Sequence, residues 1–341
     1  MSHCSGVRTR SDESPCRAAA ANVAATPTAA PFRPLRVMKF GGTSVGDAPC
    51  IARVVEIIRT ASLESDVVVV VSAMRGVTDE FIRAAHYSAA REQRTVGNIL
   101  DRLRKRHDAV LHVLMHSTGE RERVRMRIEE ILELGEVWCH ATSRSGTLTP
   151  AALDEISGLG ERLSAPLVAG ALSEAGVASE AVDATELIVT DGSHGAAEPQ
   201  MALTSAKCQA RLRALLCQGI TPVITGFIGA AEDGTVTTLG RGGSDYSATI
   251  FGAALDADEV IVWTDVDGVM TADPRLDSGA RTIPELSYCD AAQIAQSGAK
   301  VLHPKTLAPV MQLGIPVWVR NTFAPDGLGT KITATGLQGA D

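Results

Sequence analysis

Hydrophobic runs alternate with amphipathic stretches along most of the chain. The β-rich run Leu35–Phe40 ends at Gly41 and Gly42, which predicts a strand followed by a glycine turn. Apolar residues then recur at helical spacing over residues 51–58, so a helix is expected there. The unbroken β-branched run at residues 67–71 is typical of a strand covered on both faces.

Residues from about 92 to 175 follow a different pattern. Apolar residues recur every three or four positions and many opposite charges stand four apart, which predicts a largely helical stretch. Strand patterns return at residues 178–182, 222–226, 236–239, 260–264 and 316–320. Helical patterns lie between these strands, at residues 205–217, 245–254, 290–296 and 304–313.

This alternation of strands and helices indicates an α/β protein whose central sheet is mainly parallel, with helices on both faces. We expect one domain over residues 36–333, with the helical stretch at about 92–175 as an elaboration and residues 334–341 as a short tail. Residues 1–35 are rich in Ala, Ser, Thr and Pro, and are interpreted as a disordered leader. A targeting peptide for organelle import is the alternative for this segment.

Composition narrows the function classes. The formal net charge of −8 argues against sequence-independent binding of nucleic acid. The apolar runs are too short to span a membrane. The seven cysteines include no C-x-x-C pair, so neither a disulfide framework nor a zinc site is indicated. The simplest interpretation is a reduced cytoplasmic protein.

Two lysines are candidates for contact with an anion. Lys39 stands at the carboxyl end of the first predicted strand, where open α/β sheets bind ligands. The glycines that follow let backbone N–H groups approach a phosphate, although the segment is not a Walker A loop. Lys300 precedes a helix that begins at a proline, and a second lysine suits the charge of a triphosphate. A solvent-facing lysine is the alternative for Lys300.

A glycine-rich segment at residues 239–248 joins a predicted strand to a predicted helix. Several free N–H groups then point at one spot, as in anion sites at helix starts. Arg241 could hold a carboxylate with two hydrogen bonds, and Asp245 could orient an ammonium group. The alternative is that Ser244 or Asp245 serves only as a helix N-cap.

A hydrophobic strand at residues 260–264 ends in Asp265-Val266-Asp267-Gly268. This pattern also resembles the first motif of haloacid-dehalogenase-type phosphatases, but the acidic cluster which that family needs later in the chain is missing. An EF-hand does not fit because its glycine would come later. An acidic turn beside a nucleotide site fits better.

Together these segments resemble the catalytic domain of aspartate kinases, members of the amino-acid kinase family. The matching segments follow the family's order from about residue 36 to residue 332. They are KFGGTSV (39–45), VVSAMRGVTD (70–79), GERLS (160–164), GFIG (226–229), TLGRGGSDYSA (238–248), WTDVDGV (263–269), GAKVLHP (298–304) and VRNTF (319–323).

The resemblance implies a three-layer αβα sandwich of the carbamate-kinase-like type, with ATP and L-aspartate over the carboxyl ends of the strands. Mg²⁺ would bridge phosphate oxygens, and no protein ligand is assigned to it. The residues implied in catalysis are Lys39, Asp245 and Lys300. The substrate residues implied are Ser72, Thr78, Glu161, Phe227, Arg241 and Ser244. The ATP residues implied are Lys39, Gly41, Gly42, Thr43, Ser44, Thr264, Asp265, Met270, Arg275 and Lys300.

The sequence departs from the family pattern in two places. Met270 stands where the family commonly has an aromatic residue near the adenine, and a thioether can also pack on a purine. The chain also ends soon after VRNTF, so we expect no ACT domains and no feedback control through them. Dimers are common in the family, so a homodimer is among the expectations.

Three alternatives remain open at this point. One is a related kinase that acts on glutamate, acetylglutamate, carbamate or a nucleoside monophosphate. Another is a nucleotide-binding regulatory module that has lost turnover, although such a module would not need both lysines. Phosphatase chemistry ranks last.

Overall fold

The structure, a computed structural model, describes residues 33–272, 279–296 and 302–336. Within these ranges the strands are β1 (Leu35–Phe40), β2 (Asp66–Val71), β3 (Ser179–Val182), β4 (Val189–Thr190), β5 (Thr221–Thr225), β6 (Ile228–Ala231), β7 (Val236–Thr238), β8 (Glu259–Thr264), β9 (Glu285–Ser287), β10 (Val317–Asn321) and β11 (Thr330–Thr333). The α-helices are α1 (Ala48–Ala61), α2 (Val77–Ala89), α3 (Gln93–Leu114), α4 (Thr118–Ser145), α5 (Pro150–Ser157), α6 (Leu159–Glu174), α7 (Met201–Cys217), α8 (Gly243–Leu255), α9 (Tyr288–Gln296) and α10 (Pro304–Met311).

The central sheet has eight strands in the order β3-β5-β2-β1-β8-β10-β11-β9. All neighbouring pairs are parallel except β10 and β11. β1 lies in the middle, between β2 and β8, and its last residue Phe40 is in register with Val71 and Trp263. Because parallel strands end at the same edge, the residues after β1, β2, β5 and β8 converge there.

Helices cover both faces of this sheet, so the protein is a three-layer αβα sandwich. In β2, Val67, Val69 and Val71 pack into the core on the side of α1–α4 and α6. The alternate residues Val68 and Val70 pack into the second core, on the side of α7, α8 and α10. The expectation that this valine run forms a strand buried on both faces is therefore confirmed.

A second sheet was not expected from the sequence. It has three short strands in the order β4-β6-β7, with β6 and β7 antiparallel. Of its strands, β7 was expected at residues 236–239, whereas β4 and β6 had no sequence prediction, and neither had β9 and β11 at one end of the large sheet. These four strands have only two to four residues, which is too short for a period of two to stand out.

Four helices, α3 to α6, occupy residues 93–174, the stretch expected to be largely helical. His107 is fully buried on α3, a helix that packs against α1, α2, α4 and α6. Its Nδ1 lies 2.7 Å from the carbonyl oxygen of Leu103, and its Nε2 has no partner among the described residues. Burial lowers the pKa of His107 from 6.5 to about 4, because the charged imidazole would lose its hydration.

This buried imidazole should make the fold sensitive to mild acid. The folded pKa lies below the unfolded value, so stability is fully present above about pH 6.5 and is lost as pH falls toward 4. On acidification, the free energy of unfolding of the wild type should fall by roughly 3 kcal/mol more than that of His107→Met. Urea unfolding at pH 7.5 and pH 4.5 measures it, with the exposed His140→Met on α4 as the control. An equal pH dependence in wild type and His107→Met would contradict the assignment.

Candidate active site

A cavity of about 260 Å³ opens at the edge where the parallel strands end. Its wall combines strand-end residues, the start of α6 and the glycine-rich segment that leads into α8. The lining residues are Lys39, Ser72, Thr78, Glu161, Phe227, Gly240, Gly242, Gly243, Ser244 and Asp245. The structure thus brings together most of the residues expected to bind substrate, from segments more than 200 positions apart.

The turn after β1 packs closely against its neighbours. Gly41 donates its N–H to the carbonyl oxygen of Trp263 at 3.2 Å. A Cβ on Gly42 would lie 2.9 Å from the carbonyl oxygen of Ala73, which is closer than real side chains approach. The glycine therefore lets the turn lie directly on the segment after β2.

Lys39 is held by an acidic partner. Its side chain is largely buried, and Nζ lies 2.5 Å from Oδ1 of Asp245 in the first turn of α8. The ion pair joins the central strand to the helix across the cavity. Burial of the ammonium is tolerated because this carboxylate compensates its charge.

Glu161 also lines the cavity, in the first turn of α6. Only 3% of the residue is exposed, and Oε2 has no hydrogen-bond partner among the described residues. Desolvation raises the pKa of Glu161 to about 8, against smaller opposing effects of backbone N–H groups and the charge of Lys39. The site thus contains a buried carboxyl group that forms no ion pair with the described residues, which suits it to receive a cationic group from a ligand.

The glycine-rich segment follows β7 and turns sharply. Gly240 and Gly242 have positive φ angles of 80° and 67°, which glycine adopts without strain. Arg241 between them is exposed and forms no ion pair with the residues that the structure describes. Its guanidinium is therefore available to an anionic ligand at the rim of the cavity.

Asp154 on α5 holds the residues that lead into this segment. The sequence analysis did not identify it. Its buried carboxylate accepts hydrogen bonds from the backbone N–H and hydroxyl of Thr238, from the N–H of Gly195 and from Nδ1 of His194. The two bonds to Thr238 fix the end of β7 two residues before Gly240, and the other two hold residues 194 and 195 against the same carboxylate. The local sequence around Asp154 has no motif that would have revealed this role.

The residues expected to bind ATP differ in their exposure and in their contacts. Thr43 and Thr264 lie half-buried on the strand-end edge, and Asp265 is exposed beside Thr264. The side chain of Ser44 is buried, and its hydroxyl lies 2.7 Å from that of Thr322, so it ties two turns together. Met270 pairs with Thr282, whose hydroxyl lies 3.4 Å from the Met270 sulfur. Arg275 and Lys300 lie outside the described residues.

Neither a metal-binding cluster nor a membrane-spanning helix occurs in residues 33–272, 279–296 and 302–336. No group of three or more His, Cys, Asp or Glu side chains in these ranges is arranged to hold a metal ion. None of their helices is both long and apolar enough to cross a membrane.

Comparison with known families and sequences gives a consistent result. The Amino acid kinase family matches residues 34–321. Lysine-sensitive aspartokinase 3 of Escherichia coli K12 is 37% identical over 297 residues, which are 87% of this chain and 63% of that protein. Chloroplastic aspartokinase 3 of Arabidopsis thaliana is 36% identical over 301 residues, 87% of this chain and 52% of that protein. The chain therefore spans only about half to two thirds of these relatives.

Solved structures share the same architecture. The crystal structure of E. coli aspartokinase III in complex with aspartate and ADP superposes with a TM-score of 0.80 at 35% identity, and covers 88% of this chain and 64% of that one. UMP kinase from Bacillus anthracis superposes with a TM-score of 0.50 at 17% identity over 89% of this chain and 99% of that one, which shows the fold alone. The expected fold class is thus confirmed.

Glu161 should cost the empty protein stability at alkaline pH. Its folded pKa of about 8 lies above the unfolded value of 4.5, so its effect on stability becomes unfavourable as pH rises through this interval. Glu161→Gln mimics the protonated form, and should be more stable than wild type at pH 8.5 by a few kcal/mol. The difference should be much smaller at pH 5.

Chemical unfolding at the two pH values measures this difference. The exposed Glu133→Gln on α4 is the control for the loss of one carboxylate. If Glu161→Gln destabilises the protein equally at both pH values, the carboxyl group of Glu161 is not held in its protonated form.

Proposed function

Because the chain belongs to the amino acid kinase family, we propose that it transfers the γ-phosphoryl group of ATP to the side-chain carboxylate of L-aspartate. The observation that carries the proposal is the cavity at the strand ends, in which Lys39 is paired with Asp245 and faces the buried Glu161. The similarity to aspartokinases over 87% of the chain supports aspartate as the acceptor. The aspartate and ADP named for the E. coli structure support the same pair of ligands.

The amino-acid end of the substrate would be recognised by charge. Glu161 and Asp245 both line the cavity and would together receive the α-ammonium group. Arg241 at the rim would hold the α-carboxylate with two parallel hydrogen bonds. Ser72, Thr78 and Ser244 line the same cavity and would donate hydrogen bonds near the reacting carboxylate, with Phe227 as an apolar wall.

The nucleotide would lie over the neighbouring strand ends. Gly42 and Thr43, in the turn after β1, would present backbone N–H groups to phosphate oxygens, and Ser44 would hold that turn through its bond to Thr322. Thr264, Asp265 and Met270 would line the nucleoside side, while the roles of Arg275 and Lys300 stay predictions. A homodimer likewise stays a prediction.

Mg²⁺ would bind at this site mainly through the phosphate oxygens of the nucleotide. The cavity offers two carboxylates, and that of Asp245 is already paired with Lys39. Mg²⁺ is commonly held by one or two carboxylates together with phosphate oxygens and water. It would neutralise charge on the nucleotide without needing a cage of protein ligands.

The chemistry asks little of the protein beyond position and charge. A side-chain carboxylate is already ionised at neutral pH, so no general base is needed. One carboxylate oxygen forms a bond to the γ-phosphorus, and the bond to the bridging oxygen breaks as ADP leaves with that electron pair. Lys39 would stabilise the charge on the transferring group, and the product is an acyl phosphate.

Lys39→Ala should lower kcat by about 10²–10³-fold, because it removes a positioned cation from the transferring group. The assay traps the acyl phosphate with hydroxylamine after incubation with Mg·ATP and aspartate. Lys207→Ala, which removes an exposed lysine from α7, is the control and should turn over normally. Normal turnover by Lys39→Ala would sink the proposed role.

The same assay separates the competing functions. Aspartate, glutamate and acetylglutamate are offered in parallel, together with carbamate. Product with aspartate alone supports the proposal, whereas product with another acid reassigns the acceptor. No product with any acid would favour the non-catalytic binding module.

A further inference from the structure

A strained turn places Phe227 in the wall of the cavity. Phe227 has a φ of 70°, in the region that residues with a side chain rarely adopt. Ile228 donates its N–H to the carbonyl oxygen of Gly226 at 2.8 Å, so residues 226–228 form a γ-turn between β5 and β6. Such strain persists only where the surroundings hold it, and it concentrates at functional sites.

Ser247 is the side chain that holds this turn. It is fully buried on α8, and its Oγ accepts the N–H of Phe227 at 2.9 Å. The same hydroxyl lies 3.0 Å from the carbonyl oxygen of Gly243, to which it donates. The carbonyl oxygen of Phe227 in turn accepts the N–H of Leu239 at 2.8 Å. Both polar groups of the strained residue are thus used.

Two glycines let the turn and the helix interlock. A Cβ on Gly243 would lie 2.6 Å from Cδ2 of Phe227, and a Cβ on Gly226 would lie 2.7 Å from Cβ of Ser244. Neither position has room for a side chain. The aromatic ring is therefore seated on the first turn of α8, beside the residues that face the ligand.

The chemistry of the wall suggests what the ring does. Among the described residues that line the cavity, Phe227 has the only purely hydrocarbon side chain, since the others are charged, hydroxylic or glycine. An acidic amino acid has charged groups at both ends and only methylene carbons between them. The polar residues can bind those ends, but only Phe227 offers an apolar surface to the methylene carbons.

We propose that Phe227 sets the length of the acceptor acid, and that Ser247 is the positioning residue which holds the ring in place. The inference rests on the proposed function and adds the basis of its selectivity. An acid with one more methylene group would have to displace a ring that the γ-turn, Ser247 and the two glycines keep in position. Discrimination by one methylene group commonly amounts to about 10–200-fold.

The test compares kcat/KM for aspartate and glutamate by trapping the acyl phosphate. Phe227→Ala should lower the ratio of the two values at least about tenfold, because the cavity gains room for the longer acid. KM for ATP should change little. Ser247→Ala should lower the ratio in the same direction, since the N–H of Phe227 loses its acceptor. Thr249→Val is the matched control.

Thr249 suits this purpose because it is also fully buried on α8, while its hydroxyl bonds only to carbonyl oxygens of its own helix. Its removal should leave the ratio at the wild-type value. Thermal unfolding provides a second readout. Phe227→Gly should melt at a higher temperature than Phe227→Ala, because glycine adopts a φ of 70° without strain.

Each outcome bears on a different claim. If the wild type phosphorylates no acid, the proposed function fails. If it phosphorylates aspartate while both Phe227→Ala and Ser247→Ala keep the wild-type ratio, only the selectivity inference is overturned. If Phe227→Ala does not fold, Ser247→Ala decides the matter. An equal loss of selectivity in Thr249→Val would show a general effect of α8 packing and would likewise overturn the inference.

Discussion

The parallel hydrogen-bond ladder of the central sheet is the constraint on which the other features depend. β1 pairs in parallel with β2 on one side and with β8 on the other, so the chain leaves these strands at one edge. Residues far apart in sequence therefore meet there without any local signal that joins them. The cavity, the glycine turn and the ion pair of Lys39 are all consequences of this alignment.

Buried charged groups at this edge of the sheet lower the stability of the folded protein unless their charges are compensated. Lys39 and Asp245 compensate each other across the cavity. Glu161 has no such partner among the described residues, and its pKa is raised because burial removes it from water. A group that destabilises the empty protein can be stabilised when a cationic ligand group arrives. This is the usual relation between stability and function in a binding site.

Several residues that do not line the cavity hold the site in position. Asp154 fixes the end of β7 through two hydrogen bonds to Thr238, and Ser247 fixes the strained turn at Phe227. The buried pair of hydroxyls from Ser44 and Thr322 joins the turn after β1 to the residue after β10. None of these groups needs to touch a ligand to determine where the residues that do so lie.

The sequence by itself determined most strands, most helices and the segments that form the site. β1 and β2 have strong local patterns, and glycines mark the turns because few other residues fit them. It did not predict the short strands β4, β6, β9 and β11, which have too few residues for a periodic pattern, nor that β4, β6 and β7 form a second sheet. Only the tertiary structure decided that Glu161 is buried with no ion pair among the described residues, that Ser44 is turned inward, and that Phe227 adopts a positive φ. Burial and hydrogen-bond partners are properties of the neighbours in space, and the spacing of residues along the chain does not encode them locally.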